Sequence, residues 1–250
     1  MKQQDNANSQ TTQESTLKLD ATYPNLAKKA SDGIYCYVVQ RRISVYISLF
    51  CVGKGITGNA ATGIDLLFAI LAAWSLSQGY YLLGVILIQV FGLWSCVDGE
   101  ITRLTKMSSQ LGDFYDTMTD RSAEFLIFAG VLYSMPIDAI DHPWGNLFFC
   151  YIGMVFLITA SSEKFRSAYH KNYPKSVHEG VFNWLCAGSD TRFLYLSVAI
   201  LVYAFTGYAQ IIEWLVMVLS FLLGINFIFR MWKISTLPIE ASDSGSNASN

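Results

Sequence analysis

Six stretches of the chain are apolar or nearly so, at about residues 59–76, 80–97, 108–135, 144–160, 193–208 and 211–229. Each approaches the roughly 17–25 residues a helix needs to cross a bilayer. The third differs from the rest. It begins amphipathic near Ser108, carries a stripe of acidic residues, and turns continuously apolar only over 125–135. The polar ends of the second, third and fourth stretches keep helical spacing, so these helices are expected to project past the membrane on one side. Short connections at 77–79 and 206–210 predict antiparallel neighbours. The pattern predicts an all-α, polytopic membrane protein with six transmembrane helices.

Upstream, residues 31–50 mix Tyr35, Tyr37, Val38, Ile43, Val45, Tyr46 and Ile47 with the basic pair Arg41 and Arg42. This predicts an N-terminal cytoplasmic juxtamembrane helix, its apolar side in the lipid interface, and a helix packed on the bundle is compatible with that. Residues 1–16 and 241–250 are polar and low in aromatics, the composition of a disordered tail. The expected organisation is a polar tail over 1–30, an interfacial helix and connector over 31–58, a six-helix membrane domain over 59–233, and a second polar tail over 234–250. No cleavable signal peptide is expected, so the first span would direct its own insertion.

Composition and charge sharpen this picture. Hydrophobic residues make up 52% of the 250 and charged residues 14%, against about 25% charged in soluble domains. The 17 Lys and Arg fall before the first span, in or near the 2–3 and 4–5 connections, or after the sixth span. The connections at 77–79, 136–143 and 206–210 hold none. By the positive-inside rule both termini and the 98–120 segment are expected at the cytoplasmic face, which in a bacterium is that of the inner (plasma) membrane. Cys36, Cys51, Cys96, Cys150 and Cys186 are scattered without C-x-x-C spacing, which argues against a zinc site or a disulfide scaffold. Tyr80, Tyr81, Trp144, Tyr208, Trp214 and Trp232 sit near span ends, as an interfacial belt would. No basic surface accompanies the aromatics, so nucleic acid is not an expected partner. Gly84, Gly92, Gly130, Gly153 and Gly224 are expected to allow close helix packing.

Three carboxylates stand out against this apolar background. Asp98 ends the second span, followed by Gly99, Thr102 and Arg103; Gly112, Asp116 and Asp120 follow on the third. Acidic groups are costly at membrane depth, and they mark function there by default. Asp116 and Asp120 are one helical turn apart and share a stripe with Gly112. A glycine notch beside converging carboxylates suits a hard divalent cation and a phosphate group. Metals bridging phosphate oxygens would neutralise charge during phosphoryl transfer, and the stripe's last carboxylate could take a proton from an attacking hydroxyl. The competing reading is a salt-bridged patch in which Asp116 and Asp120 pair with Arg103 and Arg121.

The segment resembles the signature of the CDP-alcohol phosphotransferases (CDP-alcohol phosphatidyltransferases), D-x-x-D-G-x-x-A-R-x8-G-x-x-x-D-x-x-x-D. Six of its fixed positions are met here, by Asp98, Gly99, Arg103, Gly112, Asp116 and Asp120. Upstream, Ile56-Thr57-Gly58-Asn59-Ala60-Ala61-Thr62 is similar to the family's I-T-P-N-x-x-T, with Gly58 in place of proline. The resemblance covers about residues 35–232. It implies a phospholipid-synthesis enzyme that moves a phosphatidyl-type group from a CDP-linked lipid donor to the hydroxyl of a small polar alcohol, releasing CMP. It also implies one or two Mg2+ or Mn2+ ions held by Asp98, Asp116 and Asp120. By the same resemblance Asp120 is the catalytic base, and Gly99, Thr102 and Gly112 shape the cytidine pocket, with Asp98, Arg103 and Asp116 also on the CDP moiety. Membrane lipids are expected partners, and a homodimer is a family habit.

Two positions of the signature depart from the pattern. Ser95 stands where the family has its first aspartate, and Thr102 stands for its alanine. A serine removes one charge from the metal site. Candidate replacements are Asp113, three residues before Asp116, and Asp65, which follows Asn59 and Thr62 at steps of three inside the first span; a protonated carboxyl buried in packing is the competing reading of Asp65. The alternative outcome is a non-catalytic homologue that binds CDP-lipid or partner proteins. The threonine hydroxyl is expected to be tolerated, with the ligand as its hydrogen-bond partner. For the acceptor, Arg166 and Arg192 are the candidates, because each adjoins an apolar span beside the basic 4–5 connection.

Overall fold

The computed structural model describes residues 35–135 and 144–236, and all regular structure among them is helical. Both expected tails lie outside the described residues except at 234–236, as does the 136–143 connection. A π-helical turn, Cys36–Gln40, leads into α1 (Arg41–Gly53). There follow α2 (Gly58–Ser77), α3 (Tyr81–Thr105), α4 (Gln110–Ser134) and α5 (Trp144–Tyr169). A single turn, α6 (Lys175–His178), and a second π-helical turn, Asn183–Ala187, lead to α7 (Ser189–Thr206) and α8 (Gln210–Ser235). Four helices are long and apolar enough to cross a membrane: Gly58–Ser77, Tyr81–Thr105, Gly145–Tyr169 and Gln210–Ser235. The protein is an integral membrane protein on that ground. α4 falls short because its first half is the acidic stripe, and α7 because Asp190 and Arg192 stand in its first turn.

Local sequence explains the ends. Thr57 caps α2, its hydroxyl accepting from the Ala60 amide at 3.3 Å, and Ser109 caps α4 by accepting from the Gly112 amide at 3.0 Å; each cap satisfies an amide the helix leaves over. The tight turns between α2 and α3 and between α7 and α8 use Gly79 and Gly207 at φ 77° and 73°, a left-handed conformation that costs glycine little.

α2 packs along both α3 and α4, α5 along α8, and α7 along α3 and α8. One continuous core results, running from Ala69 and Ile88 through Ile127 and Tyr151 to Leu196 and Leu219. Gly130 lets α4 touch α2, since a Cβ there would lie 2.4 Å from the Ala73 carbonyl oxygen; Gly84 and Gly92 are similarly tight. Gly153 and Gly224, by contrast, face open space, so the expected packing role does not hold for them. Four of the five cysteines are buried and all are free; the Cys36 and Cys96 sulphurs approach to 3.4 Å.

The N-terminal helix packs on α3 by its polar side. Glu100, fully buried, accepts from Ser44 and Ser48 at 2.6 Å each and from Arg41 at 3.0 Å. Ile43, Tyr46 and Phe50 face outward. Two further buried acid–base clusters tie the other half together. Glu124 of α4 meets Arg192 of α7 and Tyr151 of α5. Glu179, after α6, meets Arg230 and Asn226 of α8.

Candidate active site

Three helix segments meet at one end of the bundle: the start of α2, the last turns of α3 and the first half of α4. α2 and α3 run antiparallel in a register fixed by two contacts. Gly58 lies against Thr102, where a Cβ would come within 2.6 Å of the threonine Oγ1. One turn on, the Thr62 hydroxyl donates to the Asp98 carboxylate at 3.0 Å. α2 and α4 run the same way, with Gly112 against the Asn59 side chain and Gly130 against Ala73.

The two departures at residues 58 and 102 therefore explain one another. The threonine occupies the space that a larger residue at 58 would take, and glycine at 58 leaves it free. Its hydroxyl is spent on the Asp98 carbonyl at 2.9 Å, which satisfies it within the helix. Gly58→Ala is expected to destabilise the purified protein by the overpacking cost of about 1–3 kcal/mol, read as a lower melting temperature, and Thr102→Ala in the same chain is expected to restore it. Equal melting of Gly58→Ala and wild type would disprove the close contact.

Asp98 is 5% exposed. Besides Thr62 it accepts from the Gly99 amide at 2.5 Å. The Arg103 guanidinium lies over Gly99, at 3.2 Å from where a Cβ would be. Together with Asn59, Gly112 and Asp116 these residues line a cavity of about 780 Å³, within the range of roughly 300–1,000 Å³ usual for small-molecule sites. A second cavity of about 170 Å³ adjoins it, lined by Asp116, Asp120, Arg121, Glu163, Lys175 and Arg192 among others. Asp116 belongs to both. Burial, with Arg230, Arg121 and Arg192 nearby, holds the Lys175 ammonium down at about 8 against the pull of Glu179.

The remaining candidates divide. Asp120 sits beside Ser95, whose hydroxyl donates to it at 3.5 Å, and 3.8 Å from the Arg121 guanidinium. Arg121 makes its closer pair with Glu124, at 2.9 Å, so the salt-bridged reading holds for Asp120 only loosely. Asp65 is buried in α2, 1% exposed. Asp113 pairs with Arg166 at 2.5 Å on the surface, and Arg166 also pairs with Glu163. Arg192 reaches the smaller cavity, but Glu124 holds its guanidinium on two nitrogens, at 2.7 and 2.8 Å, and it donates to the Cys186 and Ala187 carbonyls. Glu124 itself was legible: it continues the Asp116, Asp120 step of four by one more turn. Lys175, Arg121 and Tyr151 carried no sequence signal of this kind.

Hard oxygen donors from three helices suit a divalent cation of the magnesium or manganese type. Among the described residues no three acidic, His or Cys side chains close around a common point as they stand, so ligation would require their side chains to turn inward. The unsatisfied Oδ1 of Asp65 among these carboxylates fits such a cation.

The fold and site are those of a helical membrane bundle with aspartates from three helices at one end, beside a cavity of small-molecule size. The model of the CDP-alcohol phosphatidyltransferase family matches residues 56–225, and the chain belongs to that family. It is 24% identical over 208 residues to the bifunctional IPC transferase and DIPP synthase of Aquifex aeolicus, covering 82% of this chain and 46% of that protein. It is 29% identical over 150 residues to the protein of the same description from Thermococcus kodakarensis, covering 60% of this chain and 34% of the relative. The chain thus spans less than half the length of these relatives. Its fold is similar to that of Mycobacterium tuberculosis phosphatidylinositol phosphate synthase with CDP-DAG bound, at a TM-score of 0.65 and 16% identity, over 82% of this chain and 100% of that one. The same enzyme in complex with manganese and citrate gives 0.63 at 16% identity, over 78% and 90%.

Proposed function

We propose that the protein transfers a phosphatidyl-type group from a CDP-linked lipid to a hydroxyl of a small polar alcohol, releasing CMP. The observation that carries this reading is the pair of adjoining cavities walled by Asp116, with Asp98 and Gly99 on the larger side and Asp120 on the smaller. The larger would hold the CDP moiety, against Gly99, Thr102, Arg103 and Gly112. The smaller would hold the acceptor. Its hydroxyl oxygen forms a bond to the phosphorus nearer the lipid, its proton passes to the Asp120 carboxylate, and the bond to the bridging oxygen breaks with its electron pair leaving on CMP. Asp98, Asp116 and Asp120 would hold Mg2+ or Mn2+, which supplies charge neutralisation on the diphosphate. Arg121 and Lys175 favour an acceptor that carries an anionic group. Arg192, held by Glu124, sets the cavity's shape, and Arg166 lies outside its lining. All six long helices would span the membrane, with both termini and the site at the cytoplasmic face, as the distribution of Lys and Arg supports.

Ser95 favours a second reading, a homologue that binds CDP-lipid without turnover. Labelled CDP-diacylglycerol, a panel of neutral and phosphorylated polyols, and the protein in lipid nanodiscs separate the two. The expected result is CMP release that EDTA abolishes and excess Mn2+ restores. Donor binding with no CMP release from any acceptor would establish the second reading instead.

A further inference from the structure

We infer that Asp65 of α2 supplies the acidic ligand that Ser95 of α3 lacks, so that the cation site keeps four carboxylates, one of them moved across a helix–helix interface. This rests on the phosphotransferase reading above and assigns a residue outside the family's signature.

The register of the helices carries the inference. Across the antiparallel α2/α3 interface Gly58 faces Thr102 and Thr62 faces Asp98. Continuing by one turn on each helix brings Asp65 opposite Ser95. Along the parallel α2/α4 interface Asn59 meets Gly112 and Ala73 meets Gly130, which puts Asp65 level with Asp120. Asp65 thus stands at the height of both the missing aspartate and the catalytic base. It is 1% exposed, and its Oδ1 has no hydrogen-bond partner among the described residues. A buried carboxylate oxygen without a donor is unfavourable, more so at membrane depth, and a shared cation relieves it. Ser95 is short, and its hydroxyl donates to Asp120 at 3.5 Å. The alternative, Asp113, is 55% exposed at its side chain and pairs with Arg166. The same interface shows a second such exchange of bulk at residues 58 and 102, so the two departures from the signature are each answered from α2.

The test is a Mn2+ titration of the protein in nanodiscs, followed by the paramagnetic resonance signal of free Mn2+. Asp65→Asn is expected to weaken Mn2+ binding by about tenfold or more. Asp113→Asn is expected to stay within about twofold of wild type, since Asp113, although it lines the larger cavity, is half exposed and already paired with Arg166. Ser95→Asp added to Asp65→Asn is expected to recover most of the affinity by returning the charge from α3. Wild-type Mn2+ affinity in Asp65→Asn would overturn the inference, and so would a loss that Ser95→Asp does not repair, which would place Asp65 in packing alone. In either case EDTA-sensitive CMP release by the wild type leaves the phosphotransferase reading standing. A wild type that neither binds Mn2+ nor releases CMP would end both.

Discussion

Asp120→Asn is expected to lower the proposed CMP release by at least the factor of about 10²–10⁴ that a positioned general base contributes. The substitution keeps size and shape and removes the charge of the carboxylate to which the proposed mechanism gives the acceptor's proton and a share of the cation. Asp120 lines the smaller cavity, away from the lining of the larger one. Donor KM is therefore expected to change less than kcat, the signature of an interaction made chiefly in the transition state. The measurement is steady-state CMP release against donor concentration at saturating Mn2+. A variant that turns over at the wild-type rate would remove Asp120 from the chemistry. One that loses donor binding and rate equally would make it a nucleotide ligand instead.

Glu124→Ala is expected to be the most damaging single truncation in the bundle. Glu124 is fully buried and accepts from Arg192 on both oxygens, from the Tyr151 hydroxyl at 2.6 Å, and from Arg121 at 2.9 Å. It joins α4, α5 and α7 one turn beyond Asp120. Removing it leaves the buried Arg192 guanidinium without its carboxylate, a change that costs about 3–5 kcal/mol. In a chain of this size that corresponds to a fall in melting temperature on the order of 10 °C. The double variant Glu124→Ala with Arg192→Met is expected to melt closer to wild type, because it leaves no charge unpaired. Scanning fluorimetry of the two variants in detergent decides the matter, and similar melting of Glu124→Ala and wild type would show that the cluster carries no stability.

The chain's apolar runs gave helix positions directly, because a lipid-facing helix must be apolar over most of its length. The expected stretches at 80–97 and 144–160 extend in the structure to Thr105 and Tyr169. Their polar ends keep helical pattern past the apolar part, as the spacing indicated. The aspartate stripe was equally legible, since a one-turn spacing is local. Arg192 was read as an acceptor ligand from its place at a span entrance. That reading missed its partner, because Glu124 lies 68 residues away and no local pattern links the two. Arg166 and Asp113, 53 apart, were read singly and form a surface pair.

By itself the sequence determined the helices, their apolar faces and the family, since each depends on residue type and on spacing within one segment. Tertiary structure alone decided which residues face one another across helices. Asp65 and Asp113 were equal candidates in the linear chain; the structure buries Asp65 in α2 and puts Asp113 in the lining of the larger cavity, paired with Arg166. The α2/α3/α4 register is set by bulk at contacts such as Gly58 with Thr102 and Gly130 with Ala73. Steric fit between distant segments is a property of pairs, which no single stretch of residues encodes.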